Sequence, residues 1–291
     1  MIESSFCLLT GVGPKTERRW WQRGIETWRE FLSCSSIPGI GPSRKAVYDE
    51  ELGQAQAHRA QEDARYFGNK LPASEQWRLY EWLRPRAVYL DIETNSFGQI
   101  TVVGLYGRGG FTSLVEGDLL TRQRLCDELA QYDLLVTFNG TSFDLPVLLA
   151  SIQGLPLDQP HIDLCVLGRQ LGYRGGLKAI ELQLGIPRRA DLWGMSGADA
   201  GQLWNRWRHS RDEEARERLL AYNEADCVNL QPLADLFYCR LVQQRRGEPS
   251  ESRWREALRR RQDYERLSRT VANTLIIMAK TVTKHPDQRC Q

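Results

Sequence analysis

The sequence predicts an α/β fold, a mixed sheet flanked by helices and preceded by a small all-α module, and three observations carry that expectation. β-Branched and apolar runs begin abruptly after residue 85, as RAVYLDIE (86–93), QITVVGLYG (99–107) and FTSLV (111–115). Short turns rich in Gly and Asn separate them, which predicts three antiparallel strands. Beyond residue 118, helical stretches alternate with short apolar runs, which adds strands beside the first three and helices on the faces of the sheet. Ahead of residue 52, short apolar runs are broken by Gly-x-Gly turns, the pattern of several short helices.

Taken in order, residues 1–52 form the helical module, 53–85 a helical connector, 86–240 the sheet domain and 241–291 a basic C-terminal helix or tail. A polar, Ala/Gln/Arg-rich helix is expected from about Ser43 to Phe67, and a second from Ser74 to Leu83 after Pro72. Asn95-Ser96-Phe97-Gly98 turns the first strand into the second, and Gly107-Arg108-Gly109-Gly110 reads as a hairpin turn rather than a nucleic-acid-binding RGG segment. A helix from about Asp118 to Gln131, a strand LLVTF (134–138) and a helix starting near Asp144 follow. HIDLCVL (161–167) is the candidate last strand, and the remainder to Arg240 is mainly helical.

Hydrophobic residues make up 41% of the 291, enough for a real core. No segment reaches the roughly 20 apolar residues of a membrane span, VANTLIIMAKTV (271–282) included, and the first residues lack a basic stretch before an apolar run. No membrane association and a cytoplasmic location are the expectation. Seven cysteines without a C-x-x-C pair suggest neither a zinc site nor a disulfide framework. Residues 1–84 carry 12 Lys/Arg against 11 Asp/Glu, residues 85–240 carry 15 against 20, and residues 241–291 carry 12 against 6. An acidic middle and a basic tail are compatible with a carboxylate-rich site flanked by regions that tolerate phosphate.

Asp91 and Glu93 stand two apart in a strand, so their side chains leave one face of the sheet and can converge on one ion. Alone, a D-x-E triplet fits a solvated strand end, since 26% of the chain is charged. In FNGTSFDLPVLL (138–149), Asp144 stands at a helix start, where a plain N-cap is the simpler role. In YNEADCVNL (222–230), Tyr222 and Asp226 are four apart on one helix face, a spacing also common on helix surfaces.

Together and in this order, DIET (91–94), NGTSFD (139–144) and YNEAD (222–226) resemble the three exonuclease motifs of the DEDD superfamily, in its Tyr-containing subclass. The N-x-x-x-F-D form is similar to the proofreading domains of family B DNA polymerases. The likeness covers about residues 86–240 and implies a ribonuclease H-like fold. It also implies a 3′→5′ exonuclease with Asp91, Glu93, Asp144 and Asp226 as ligands of two ions, Mg²⁺ or Mn²⁺. By that resemblance Asp91 bridges both ions, Glu93 and Asp226 complete the site of the water-activating ion, and Asp144 holds the second through water. Tyr222 orients the attacking water. Carboxylate oxygens with open coordination positions suit these hard cations better than Zn²⁺.

Asn139 either touches substrate or closes the strand-end turn. His161 and Asp163 lie near the expected sheet edge, His161 as a proton shuttle or as a satisfied structural group. Lys178, in RGGLKAIELQLGI (174–186), faces phosphate or stands at a solvated helix start. LLTGVGPKTERRWW (8–21) and SIPGIGPSRKAVY (36–48) share Gly-x-Gly-Pro before a helix and resemble paired helix-hairpin-helix motifs. In that family, glycine turns let backbone N–H groups approach phosphate. Gly11, Gly13, Gly39 and Gly41, with Lys15, Arg18, Arg44 and Lys45, are the candidate nucleic-acid contacts. Trp20, Trp21 and Trp28 read as core. The expected substrate is nucleic acid, single-stranded DNA or frayed 3′ ends, with a repair or replication protein as candidate partner. An RNA 3′ exonuclease and a non-catalytic nucleic-acid-binding adaptor are the alternative readings.

Overall fold

The computed structural model describes residues 1–246; of the basic helix or tail expected over 241–291, residues 241–246 continue a helix and 247–291 lie outside the described residues. The amino-terminal region is helical: α1 (Pro14–Trp21), α2 (Trp28–Ser33) and α3 (Pro42–Ala60) follow one another, with Gly13 and Gly41 as the residues that precede α1 and α3. Pro14 and Pro42 take the first helical positions, where the missing N–H costs nothing. Thr27 starts α2 with a capping box, its side chain accepting from the Glu30 backbone while Glu30 accepts from the Thr27 N–H. Trp20, Trp28, Phe6 and Phe31 are buried, with Phe6, Trp20 and Phe31 packed ring against ring, so Trp20 and Trp28 face a core while Trp21, expected there too, is only half-buried.

One long polar helix was expected from Ser43 to Phe67, but the chain breaks after Ala60. Glu62 adopts φ 56° and Asp63 caps a separate helix, α4 (Ala64–Lys70), by accepting from Tyr66 N. The break arises because Asp63 offers the backbone a competing hydrogen bond. The next expected helix is a 3-10 segment, Ala73–Leu79, continued by the single turn α5 (Tyr80–Leu83).

Strands β1 (Ala87–Thr94), β2 (Ile100–Gly107) and β3 (Gly110–Val115) form the expected antiparallel meander. Helix α6 (Arg122–Leu129) leads to β4 (Leu134–Thr137), and α7 (Asp144–Ser151) to β5 (His161–Asp163). The sheet order is β3-β2-β1-β4-β5, with β4 parallel to β1 and β5 parallel to β4. HIDLCVL is a strand only to Asp163. There the Asp163 carboxylate accepts from Cys165 N and starts helix α8 (Leu164–Gln170), so the apolar LCVL is buried as helix. Helices α9 (Leu177–Leu184), α10 (Gly197–Ser210) and the 34-residue α11 (Glu213–Arg246) complete the described chain.

Strand alternation divides the core. Val88, Leu90 and Ile92 of β1 pack with Val103, Leu105, Leu125, Leu129 and Leu148, beneath α6 and α7. On the opposite face, Val102 and Val115 pack with Trp204, Trp207, Leu219 and Tyr222 of α10 and α11. Asp91 and Glu93 are on this second face, opposite Gly104 and Val102 in the ladder.

The amino-terminal helices are tied to this domain by buried charge. Arg78 joins Glu17 of α1 at 2.8 Å and Glu75 at 2.7 Å, with its side chain wholly inaccessible, and Arg245 of α11 reaches Glu75 at 3.3 Å. Glu17 also accepts from Phe6 N at 2.6 Å. A buried ion pair is costly to break by removing one partner.

Two glycines test the packing in opposite directions. A Cβ on Gly104 would lie 2.0 Å from Asn223 Oδ1 and 2.7 Å from Cys227 Sγ, whereas one on Gly53, exposed within α3, meets nothing within 4 Å. Gly104→Ala is expected to destabilise by about 1–3 kcal/mol through overpacking, and Gly53→Ala to stabilise by about 0.5–1 kcal/mol through helix propensity. Urea unfolding of both variants checks this; equal midpoints would refute the close approach of α11 to β2.

Candidate active site

Four carboxylates meet where the C-terminal half of β1, the start of α7 and the middle of α11 converge. Glu93, Asp144 and Asp226 are buried and Asp91 is half-buried. Asp91, Glu93 and Asp226 offer oxygens that all lie within 4.8 Å of one another. Asp144 joins them through the backbone. Strand β4 ends at Thr137 while β1 runs on to Thr94, and Asp144 Oδ1 takes the N–H of Ile92 at 3.1 Å. Tyr222 lies one helical turn before Asp226 on α11.

The loop that delivers Asp144 is shaped by Asp163, whose carboxylate accepts from Asn139 N at 2.8 Å and Thr141 N at 3.1 Å. Asn139 closes the turn with φ 65°, its carbonyl accepting from Ser142 and Phe143. Gly140 is required here, because its Cβ would stand 2.1 Å from Thr137 Oγ1. His161 hydrogen-bonds the same Thr137 hydroxyl at 2.8 Å, and burial pushes its pKa down to about 4. Its imidazole is thus neutral near pH 7 and braces the strand end.

Lys178 points into the cluster from α9. Its Nζ donates to the Tyr222 hydroxyl at 2.6 Å, lies 4.4 Å from the centre of the Tyr222 ring and stands 3.5 Å from Asp226 Oδ2. Asn223, Arg188 and Glu181, none of them singled out by the sequence reading, complete the frame. Asn223 donates to Asp91 Oδ2 at 2.9 Å, and Arg188 bridges Asp226 and Glu181. Asn223, next to Tyr222 in YNEAD, and Gly104, a glycine inside an apolar strand, are the positions that pattern could have flagged, the latter as a site of close approach.

The amino-terminal candidates divide. Gly11 and Gly39 are exposed with φ of 78° and 85°, and Lys15, Arg18 and Arg44 are exposed beside them. Lys45 is buried, paired with Asp49 at 2.6 Å and set over the Phe31 ring, so its charge faces inward. None of these residues hydrogen-bonds or ion-pairs with the carboxylate cluster.

The donor set fits divalent cations. Among the described residues, four carboxylates and Glu181 share only Lys178 and Arg188 as nearby positive partners, so negative charge is left over in a poorly solvated place. Desolvation and then Asp226, Glu93 and Asp144 hold the Asp91 carboxyl well above the usual range. Desolvation and Asp226 push Glu93 up to about 8, and burial pushes Asp144 up to about 7. Burial and the same carboxylates also raise Tyr222 above its ordinary value, so its hydroxyl keeps its proton.

These shifts set a pH dependence. Folded-state pKa values above those of the unfolded chain mean that the folded protein holds the extra protons, so this contribution favours folding at the acid end. It is lost as pH rises through about 7 and then 8. His161 acts oppositely below about pH 6.5, which confines the test to higher pH. In EDTA, the melting temperature is expected to fall between about pH 6.5 and 8.5, and Mn²⁺ to raise it more at the upper end. Asp91→Asn should flatten both trends, and an unchanged slope in that variant would show that the cluster is not the source.

The family model described as the RNase H superfamily matches residues 88–238. Among solved structures, the family B DNA polymerase from the hyperthermophilic archaeon Pyrobaculum calidifontis is similar, with a TM-score of 0.45 and 17% identity over 54% of this chain and 25% of that one. The matched part therefore spans about a quarter of the polymerase. A comparison with curated proteins gives no match. The five-stranded mixed sheet with its flanking helices is the ribonuclease H-like fold, and this chain belongs to the RNase H superfamily, whose nucleases act on nucleic acid with divalent metals.

Proposed function

We propose that this protein is a metal-dependent 3′→5′ exonuclease of the Tyr-containing DEDD type, acting on single-stranded DNA or frayed 3′ ends. The observation that supports it most is the convergence of Asp91, Glu93 and Asp226 within 4.8 Å, with Asp144 bonded to the same strand and Tyr222 one turn from Asp226. Asp91, Glu93 and Asp226 would hold one Mg²⁺ or Mn²⁺, and Asp91 with Asp144 a second. Such ions supply charge neutralisation at the phosphoryl oxygens and an acidified water.

The chain's own residues do the rest. Asn223 fixes Asp91 without cancelling its charge. Lys178 donates to the Tyr222 oxygen, which leaves the phenolic O–H free to donate toward the attacking water or a phosphoryl oxygen. Tyr222 therefore orients and does not act as the base. Lys178 Nζ, with donors beyond the Tyr222 bond, supplies a positive charge to the phosphate.

The amino-terminal helices extend the reading as a helix-hairpin-helix-like module. Gly11 and Gly39, both with positive φ, leave the starts of α1 and α3 open, with Lys15, Arg18 and Arg44 exposed beside them. These groups would hold backbone phosphates without reading bases.

Digestion of 5′-end-labelled single strands with Mg²⁺, Mn²⁺ or EDTA tests the proposal. Stepwise shortening from the 3′ end in metal, none in EDTA and strong inhibition by a 3′-phosphate are expected. Asp91→Ala should fall to background, while Tyr222→Phe should lose less than about a hundredfold, because orienting a water contributes less than proton transfer. Lys15→Glu with Arg44→Glu should raise KM on long strands and shrink the slope of log K against log salt by about 0.7 per lost contact. Cleavage of circular single strands at the linear rate would overturn the exonuclease assignment, and preference for RNA would replace DNA as the substrate.

A further inference from the structure

Arg188 follows α9 by four residues and lies in a place that no sequence pattern explains. Its side chain is wholly inaccessible to solvent. Taking a guanidinium out of water costs several kcal/mol unless its donors are matched, so a buried arginine held by specific partners calls for a reason. The partners here come from two helices. Nε and Nη2 form a fork on Glu181 of α9 at 3.0 and 2.7 Å, and Nη2 also reaches Asp226 Oδ1 of α11 at 2.5 Å.

Each end of this bridge is itself fixed. Glu181, fully buried, accepts a further bond from Asn229 Nδ2 at 3.0 Å, one helical turn beyond Asp226. The same amide donates to the Pro187 carbonyl at 3.2 Å, and Trp193 Nε1 donates to the Arg188 carbonyl at 3.1 Å. Nε and Nη2 of the side chain and the carbonyl of the backbone are thus held. The Asp226 carboxylate is divided between two neighbours: Oδ1 is committed to Arg188, while Oδ2 faces Lys178 at a looser 3.5 Å.

We propose that Arg188 is a positioning residue for Asp226, anchored by Glu181, that locks the aspartate rotamer and leaves Oδ2 as the single oxygen offered to a divalent cation. The inference rests on the reading of Asp226 as a metal ligand, though not on the direction or substrate of cleavage. A fork of fixed geometry suits the task, since an ammonium at the same place could not grip Glu181 with two bonds and reach Asp226 as well. Partners that orient a metal ligand are commonly worth about 10–100-fold in metal affinity.

Mn²⁺ titration of the whole metal-free chain, by calorimetry and by the loss of the free-ion paramagnetic resonance signal, needs no turnover. Arg188→Met is expected to weaken Mn²⁺ binding at least about tenfold. The deciding measurement is the cycle with Asp226→Ala. If Arg188 acts through Asp226, Arg188→Met adds no further loss of affinity once Asp226 is gone, whereas a merely structural arginine lowers affinity and melting temperature alike in both backgrounds. Glu181→Gln, which keeps shape and loosens the anchor, should weaken Mn²⁺ in the same direction by less and covers the case in which Arg188→Met does not fold. Arg188→Lys should rescue melting temperature more than Mn²⁺ affinity. Wild-type affinity in both Arg188→Met and Glu181→Gln, or additive losses in the cycle, would overturn the proposal. Wild-type protein that binds Mn²⁺ yet degrades no strand would refute the exonuclease reading and leave this test standing.

Discussion

Mutual repulsion among carboxylates crowded out of water is the constraint that the arrangement of this protein answers. Unpaired, such groups would move apart or protonate, and burial first, then the neighbouring carboxylates, pushes Asp91, Glu93 and Asp144 upward. They are held because the elements that carry them have no freedom to separate. Strand β1 lies between β2 and β4, bonded on both edges, and α11 crosses its face near Asp91 closely enough that only glycine fits at position 104. Burial of the two apolar layers holds the groups together against that tendency, and a divalent cation among them would offset it.

The rigidity reaches beyond the sheet domain. Gln76, in the 3-10 segment before α5, accepts from His161 N at 2.7 Å, which ties that segment to β5 and hence to the strand end that shapes the Asp144 loop. Arg78 and Glu75 then link the same segment to Glu17 in α1 and to Arg245 in α11. The amino-terminal helices consequently brace both ends of the site's scaffold. Removing them would leave Arg78 buried against one carboxylate fewer, which is why point changes at exposed Lys15 and Arg44 probe their binding role more cleanly than truncation.

The β1–β2–β3 meander was legible because strands in an antiparallel sheet alternate and their turns use Asn and Gly, both local signals. The four carboxylates were legible because their order and local contexts resemble known motifs, not because any one spacing compelled it. Lys178 was seen only as a phosphate contact or a solvated helix start, since its partner Tyr222 is 44 residues away. Asn223 and Arg188 act over 132 and 38 residues, separations at which no periodicity speaks. The short run LCVL could not be told from a strand by apolarity alone, and the deciding feature was the Asp163 cap two residues before Cys165. The break at Glu62 was hidden by the Ala/Gln/Arg-rich composition of the stretch, which does not signal that Asp63 caps a new helix.

The donors chosen to hold the acids follow one rule: they fix geometry while leaving negative charge outstanding. Asp144 is held by a backbone N–H and Asp91 by a neutral amide, neither of which cancels a carboxylate. Asp226 has a cation, yet Arg188 is shared with Glu181, so the trio of Arg188, Glu181 and Asp226 still carries a net negative charge. A lysine or arginine at position 223 would pin Asp91 as firmly and would neutralise it, weakening the attraction for a divalent ion at the centre of the cluster. Lys178 differs from the others in being partly exposed and bound to a hydroxyl as well as to a carboxylate, so it can turn toward an incoming phosphate without leaving a buried charge unpaired. The division is physical: buried donors set the positions of the acids, and Lys178, partly exposed, is the cation placed to respond to the substrate.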